Sequence, residues 1–134
     1  IASSKNCDYS FPALFGEKRN SPLREATVHH SGHGKFAIRK GDWVLILAPT
    51  GDDNGKQGEP PWFQVDRGYQ RHNAAGELFN LAADLTQMDN QYKAQPEKVK
   101  ELSDLMERYV QAGRSTPGPQ SKNDVEIIWD KRGK

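Results

Sequence analysis

The sequence has a single cysteine, Cys7, so it can neither close a disulfide within the chain nor present a Cys-x-x-Cys metal or redox motif. That thiol reads as a small side chain, buried or half-buried. No apolar run approaches the roughly 18 residues of a membrane span, and no membrane partner is expected. Neither sign of charge is in excess. The 19 Lys+Arg and 18 Asp+Glu leave a net +1, which argues against a polybasic nucleic-acid binder and an acidic tail, so no nucleic-acid partner is expected. A G-x-S-x-G nucleophile turn and a phosphate-binding P-loop are missing too. Asp52-Asp53 lies in a glycine-rich stretch but lacks the later acidic positions of a calcium loop. Ile1-Ala2-Ser3-Ser4 has neither the charged start nor the apolar stretch of a secretion signal. The first residue is not Met, which fits a processed chain or an excised piece.

What is present suits one domain over residues 1–134. Only 34% of residues are hydrophobic, but three Trp, five Phe and four Tyr supply large burial units. Tyr9 to Gly16 reads as a short apolar turn or helical stub. Strand signals follow. Ala26-Thr27-Val28-His29-His30 has adjacent β-branched residues, and Ser31-Gly32-His33-Gly34 is a turn. Phe36-Ala37-Ile38-Arg39-Lys40 alternates, with Phe36 and Ile38 on one side and Ala37 and Arg39 on the other. After the tight turn Gly41-Asp42, Trp43 to Ala48 is apolar throughout and reads as a central strand covered on both faces. Thr50 to Pro61 is a long loop, Trp62 to Val65 a short edge piece, and Glu77 to Leu81 a fourth strand.

The helix signal is the strongest. Pro96 suits the first helical position and Glu97 the positive end of the helix dipole. Val99, Leu102, Leu105, Met106, Tyr109 and Val110 form one apolar stripe, and Gly113 sits where a left-handed cap belongs. Val125 to Trp129 reads as a last strand and Asp130 to Lys134 as a frayed charged tail. The fold class is therefore α+β: an antiparallel sheet of about four strands with one long C-terminal helix laid on it.

His29, His30 and His33 cluster, but the spacing is poor for a metal. Ser31-Gly32 breaks a helix, and adjacent strand residues point to opposite faces. No metal ligands and no catalytic residues are assigned in this chain. A small metal-binding protein using these histidines and a sugar-binding module using Trp62 with the histidine turn remain as alternatives.

Several strings, in order, resemble the C-terminal region of the formylglycine-dependent sulfatases, especially the bacterial arylsulfatase-like members. They are Arg24-Glu25-Ala26-Thr27-Val28-His29-His30-Ser31, then Gly34-Lys35-Phe36-Ala37-Ile38-Arg39-Lys40-Gly41-Asp42-Trp43, then Glu77-Leu78-Phe79-Asn80-Leu81-Ala82-Ala83-Asp84 with Asn90. The helix after Gln95-Pro96-Glu97, with Tyr109 and Gly113 to Gly118, continues the likeness, which spans about residues 8–124. Val44 stands where the family usually has Lys, Leu85 replaces a Pro, and Gln87 replaces a Glu.

The resemblance implies a subdomain that packs a four-stranded sheet and a helix against an N-terminal catalytic domain, which is the expected partner. Calcium and formylglycine are expected in that domain and no cofactor in this chain, because Cys7 is followed by Asp8-Tyr9-Ser10-Phe11 and not by the x-Pro-x-Arg of the formylglycine motif. The parent would hydrolyse aryl or carbohydrate sulfates and would be periplasmic or secreted. His29, His30 and Ser31 match the family's H-H-S string and are the candidates for a substrate-facing rim. Without its partner the chain is expected to be inactive as a sulfatase and to self-associate as a homo-oligomer through a sheet face left bare.

Overall fold

The computed structural model describes Gly16, residues 24–50, Trp62, Asp66, Gly68, residues 72–116 and residues 118–133. Cys7, the Tyr9–Phe15 stretch, residues 51–61 and most of the Trp62–Val65 piece lie outside the described residues. Four strands form one sheet in chain order: β1 (Thr27–His30), β2 (Phe36–Lys40), β3 (Trp43–Ile46) and β4 (Glu77–Asn80). All neighbours pair antiparallel, with Val28 opposite Ile38, Ile38 opposite Leu45, and Leu45 opposite Leu78. The β2–β3 connection is the two-residue turn Gly41-Asp42. Gly41 has φ of 58° and Asp42 has no positive φ, which matches the type II′ pattern, where a first-position glycine follows the right-handed strand twist.

The sheet register sorts side chains into two faces. Val28, Phe36, Ile38, Leu45 and Leu78 share the inner face, while Thr27, His29, Ala37, Arg39, Val44, Ile46, Glu77 and Phe79 share the other, here called the open face. The helix α1 (Pro96–Ala112) lies across β2 and β3 on the inner face. Its Val99, Leu102, Leu105 and Met106 join Ala26, Ile38, Leu45, Leu47 and Leu78 in one buried core. Pro96 occupies the first turn. Gly113 closes the helix with φ of 65°, and its N–H reaches the carbonyls of Tyr109 and Val110. A side chain at Gly113 would also strike the Ser121 carbonyl, so this glycine is required by conformation and by space.

Three readings need correction. The central strand β3 is sealed on the inner face only: Leu45 is fully buried, while Val44 and Ile46 are half-buried. Residues 125–129 form no strand. Val125 and Ile128 are 69% and 54% exposed, and the Trp129 N–H turns back to the Ile127 carbonyl instead of joining a ladder. Only Trp129 of that stretch packs on the core.

The charged tail is docked rather than frayed. Lys131 N–H donates to the Leu47 carbonyl at 2.9 Å, and its Nζ donates to the His33 carbonyl at 2.8 Å. Arg132 forms a fork on Asp130, with 2.6 and 2.9 Å bonds, and also donates to Ser103 Oγ at 3.0 Å. That fork holds the Asp130 carboxyl below the usual carboxylate range and the Arg132 guanidinium above its usual value, because each charge is hydrogen-bonded to its opposite.

The outer edge of β4 is closed by a side chain. Asn90 Oδ1 accepts the N–H groups of Leu78 and Tyr92, each at 3.0 Å, and its Nδ2 donates to the Gly76 carbonyl at 3.2 Å. With the Gln91 N–H on the Leu78 carbonyl, this imitates a neighbouring strand and removes the unpaired groups an edge would present.

Candidate functional site

His29, His30 and Ser31 end β1 and begin the turn to β2, so strand geometry governs where they point. His29 pairs with Ala37 on the open face and is exposed. His30 pairs with Phe36 on the inner face. Its ring lies 5.7 Å from the Phe36 ring at a 43° tilt, and its Nδ1 donates to the Ser31 carbonyl at 3.1 Å. The Ser31 hydroxyl accepts the Lys35 N–H at 3.2 Å, while the Ser31 N–H donates to the Lys35 carbonyl and its own carbonyl accepts from Gly34. Ser31 thus braces the turn.

The three adjacent rim candidates therefore have different situations. His30 and Ser31 are tied into local structure, whereas the His29 ring makes no hydrogen bond or ion pair among the described residues. The turn itself is held from afar, because the Lys131 ammonium reaches His33 across 98 residues of chain.

Sequence reasoning did not single out the residues that surround His29. Thr27 lies two positions earlier on the same face, and Arg39 sits directly opposite Thr27. Both are exposed. Arg39 Nε donates to the Gly41 carbonyl at 3.0 Å, and its terminal nitrogens have no partner among the described residues. Alternation in the β2 string placed Arg39 beside Ala37, but only the pairing register brings it diagonal to His29.

The adjacent Lys40 faces the other way and is fully engaged. It pairs with Glu25 at 3.0 Å and Glu101 at 3.1 Å, hydrogen bonds that raise its pKa. Glu101, bonded also by Lys98, is correspondingly lowered.

At the β4 end of the open face lies a buried polar pair. The Ala74 N–H donates to His72 Nδ1 at 3.2 Å, which leaves the ring proton on Nε2 to donate to Glu77 Oε1 at 2.9 Å. Glu77 is 3% exposed. At the far end of α1 an open groove of about 410 Å³ is lined by Gln111, Gln120, Ser121, Lys122 and Asn123. Gln120 and Asn123 there satisfy the last helix carbonyls. Among the described residues no three His, Cys, Asp or Glu side chains are grouped to hold a metal ion, and His29 and His30 diverge to opposite faces. No described helix is long and apolar enough to cross a membrane.

No family model matches the chain. A curated relative, the N-acetylgalactosamine-6-O-sulfatase of Bacteroides thetaiotaomicron, is 32% identical over 84 residues, 63% of this chain and 15% of the relative. A solved sulfatase structure from work on the metabolism of multiple glycosaminoglycans by the same organism matches with a TM-score of 0.52 and 30% identity, over 73% of this chain and 18% of that one. The chain thus spans less than a fifth of the length of either protein. In sequence and in fold it resembles the C-terminal region of a sulfatase.

Proposed function

We propose that this chain is the C-terminal subdomain of a sulfatase, a single unit that packs on a catalytic domain and helps to shape its substrate cleft. The observation that carries this reading is a likeness in sequence and in fold that is confined to a small share of a sulfatase. In such a parent the calcium and the formylglycine belong to the catalytic domain. The described residues offer no cluster fitted to a metal. Leu85, Val125 and Ile128, exposed at 79%, 69% and 54%, offer apolar area for docking on that domain, or for self-association without it.

Of the three rim candidates, His29 fits a cleft-facing role best, because its ring is exposed and uncommitted while His30 and Ser31 serve the turn. An imidazole there can donate to a sugar hydroxyl.

The gene gives the first test: an upstream segment in the same reading frame that encodes C-x-P-x-R or S-x-P-x-R supports the reading, and its absence overturns it. Activity gives the second. The isolated chain is expected not to turn over an aryl sulfate, and the protein that includes the upstream segment is expected to do so. In that protein, His29→Ala is expected to lower kcat/KM on the natural carbohydrate sulfate by about tenfold, the size of one lost polar contact. A small aryl sulfate should be nearly unaffected. Equal loss on both substrates would remove His29 from the rim.

A further inference from the structure

Resting on the sulfatase reading and extending it, we propose that Thr27, His29 and Arg39 form a subsite on the open sheet face for a sulfated sugar ring, with Arg39 as the group that selects the anion. Three strands bring the parts together. Thr27 and His29 come from β1, Arg39 and Ala37 from β2, and Val44 and Ile46 from β3. Arg39 has Thr27 on one side and Val44 on the other, and Ala37 lies between His29 and Ile46. The result is a polar strip beside an apolar one, about 10 Å across the strands and about 7 Å along them by ordinary sheet spacing. A pyranose ring asks for that combination: an apolar floor for its C–H face, donors for its hydroxyls, and a guanidinium for a sulfate oxygen pair.

Among the described residues that charge is not cancelled. The bond from Arg39 Nε to Gly41 orients the guanidinium and leaves its terminal nitrogens uncommitted, and no ion pair joins it to Asp42 in the adjacent turn. Glu25 and Glu101 are engaged by Lys40 on the inner face, and Glu77 is buried against His72. Two consecutive basic residues on one strand thus have opposite fates. Lys40 is neutralised in place, and Arg39 is held ready for an external anion.

The test uses the full 134-residue chain, labelled with ¹⁵N, and a chondroitin 6-sulfate tetrasaccharide, its desulfated counterpart and inorganic sulfate as probes. Saturable amide shifts on Thr27, His29, Ala37, Arg39 and Val44 are expected with the sulfated sugar, with affinity about tenfold weaker for the desulfated one, as expected for one charge-assisted contact. Arg39→Gln should remove that preference, Arg39→Lys should keep part of it, and Lys40→Gln should leave it unchanged. Unshifted resonances elsewhere in each variant report an intact fold.

Equal binding of sulfated and desulfated sugars, shifts confined to the inner face, no response to either sugar, or an Arg39→Gln variant that binds like the parent would overturn the subsite. A response to inorganic sulfate equal to that of the sugar would overturn the saccharide assignment. None of these outcomes depends on a catalytic domain, so failure here is separable from failure of the sulfatase reading, which the upstream reading frame decides.

Discussion

The two faces of one four-stranded sheet follow different rules. On the inner face every strand contributes apolar residues to a core closed by α1, and Lys40 at its border is tied by two carboxylates. On the open face the β1 and β2 positions carry Thr27, His29 and Arg39, with Ala37, Val44 and Ile46 left half-buried. Only at β4 does that face seal, where Phe79 is 2% exposed and Glu77 is held by His72. The inner face spends its residues on stability, and the uncommitted polar groups gather where stability does not require them.

The sharpest way to break that comparison is to shorten one neighbouring residue on each face. Leu45→Ala should cost about 2–5 kcal/mol, because a fully buried leucine leaves a cavity under α1. Val44→Ala, one position away on the half-buried side, should cost about 1 kcal/mol or less, since less apolar area is lost. Urea unfolding of both variants gives the ratio, and equal losses would mean that the open face is as tightly packed as the inner one.

Next in size is the β4 edge that both faces share. Asn90→Ala strips three hydrogen bonds and leaves the Leu78 N–H without its acceptor, a loss of about 1–3 kcal/mol. Amide exchange should accelerate first at Leu78 and Tyr92.

Within the open face, His72→Phe removes the donor to a buried carboxylate and should cost about 1–3 kcal/mol. Thr27→Ala should be nearly neutral. This contrast in thermal unfolding would mark where the open face stops being structural.

The smallest effect is acid sensitivity of the inner border. The Glu101 carboxyl is held below its usual range, first by the Lys98 hydrogen bond and then by Lys40. A lowered folded-state value contributes stability that is present above the unfolded value, near pH 4.3, and is lost as pH falls through the folded one. Glu101 is partly exposed, so the contribution is screened to about 0.3–1 kcal/mol. Glu101→Gln should flatten that part of the stability profile below about pH 4.3, and Arg39→Gln should leave the profile unchanged.

Much of this architecture is written locally. Pro96 and Gly113 bound α1 by their own backbone preferences, so its limits are legible without any partner. Alternation in Phe36–Lys40 and the Gly41-Asp42 turn set β2 and β3 in the same way. The stretch 125–129 misleads because β-branched residues report only a preference. The β4 edge does not receive them, since it is closed by Asn90 and Gln91.

What the sequence by itself determined is the four paired strands and the helix, their order, and the stripe that α1 turns inward. It also carried the strings shared with sulfatases. The tertiary structure decided that the tail docks through Lys131 and Arg132, that Lys40 is spent on carboxylates from before β1 and from α1, and that Arg39 stands diagonal to His29. The reason is physical. Turns and caps are satisfied by residues a few positions away, whereas the commitment of a charge depends on which distant groups the register and the packed helix bring within hydrogen-bond reach.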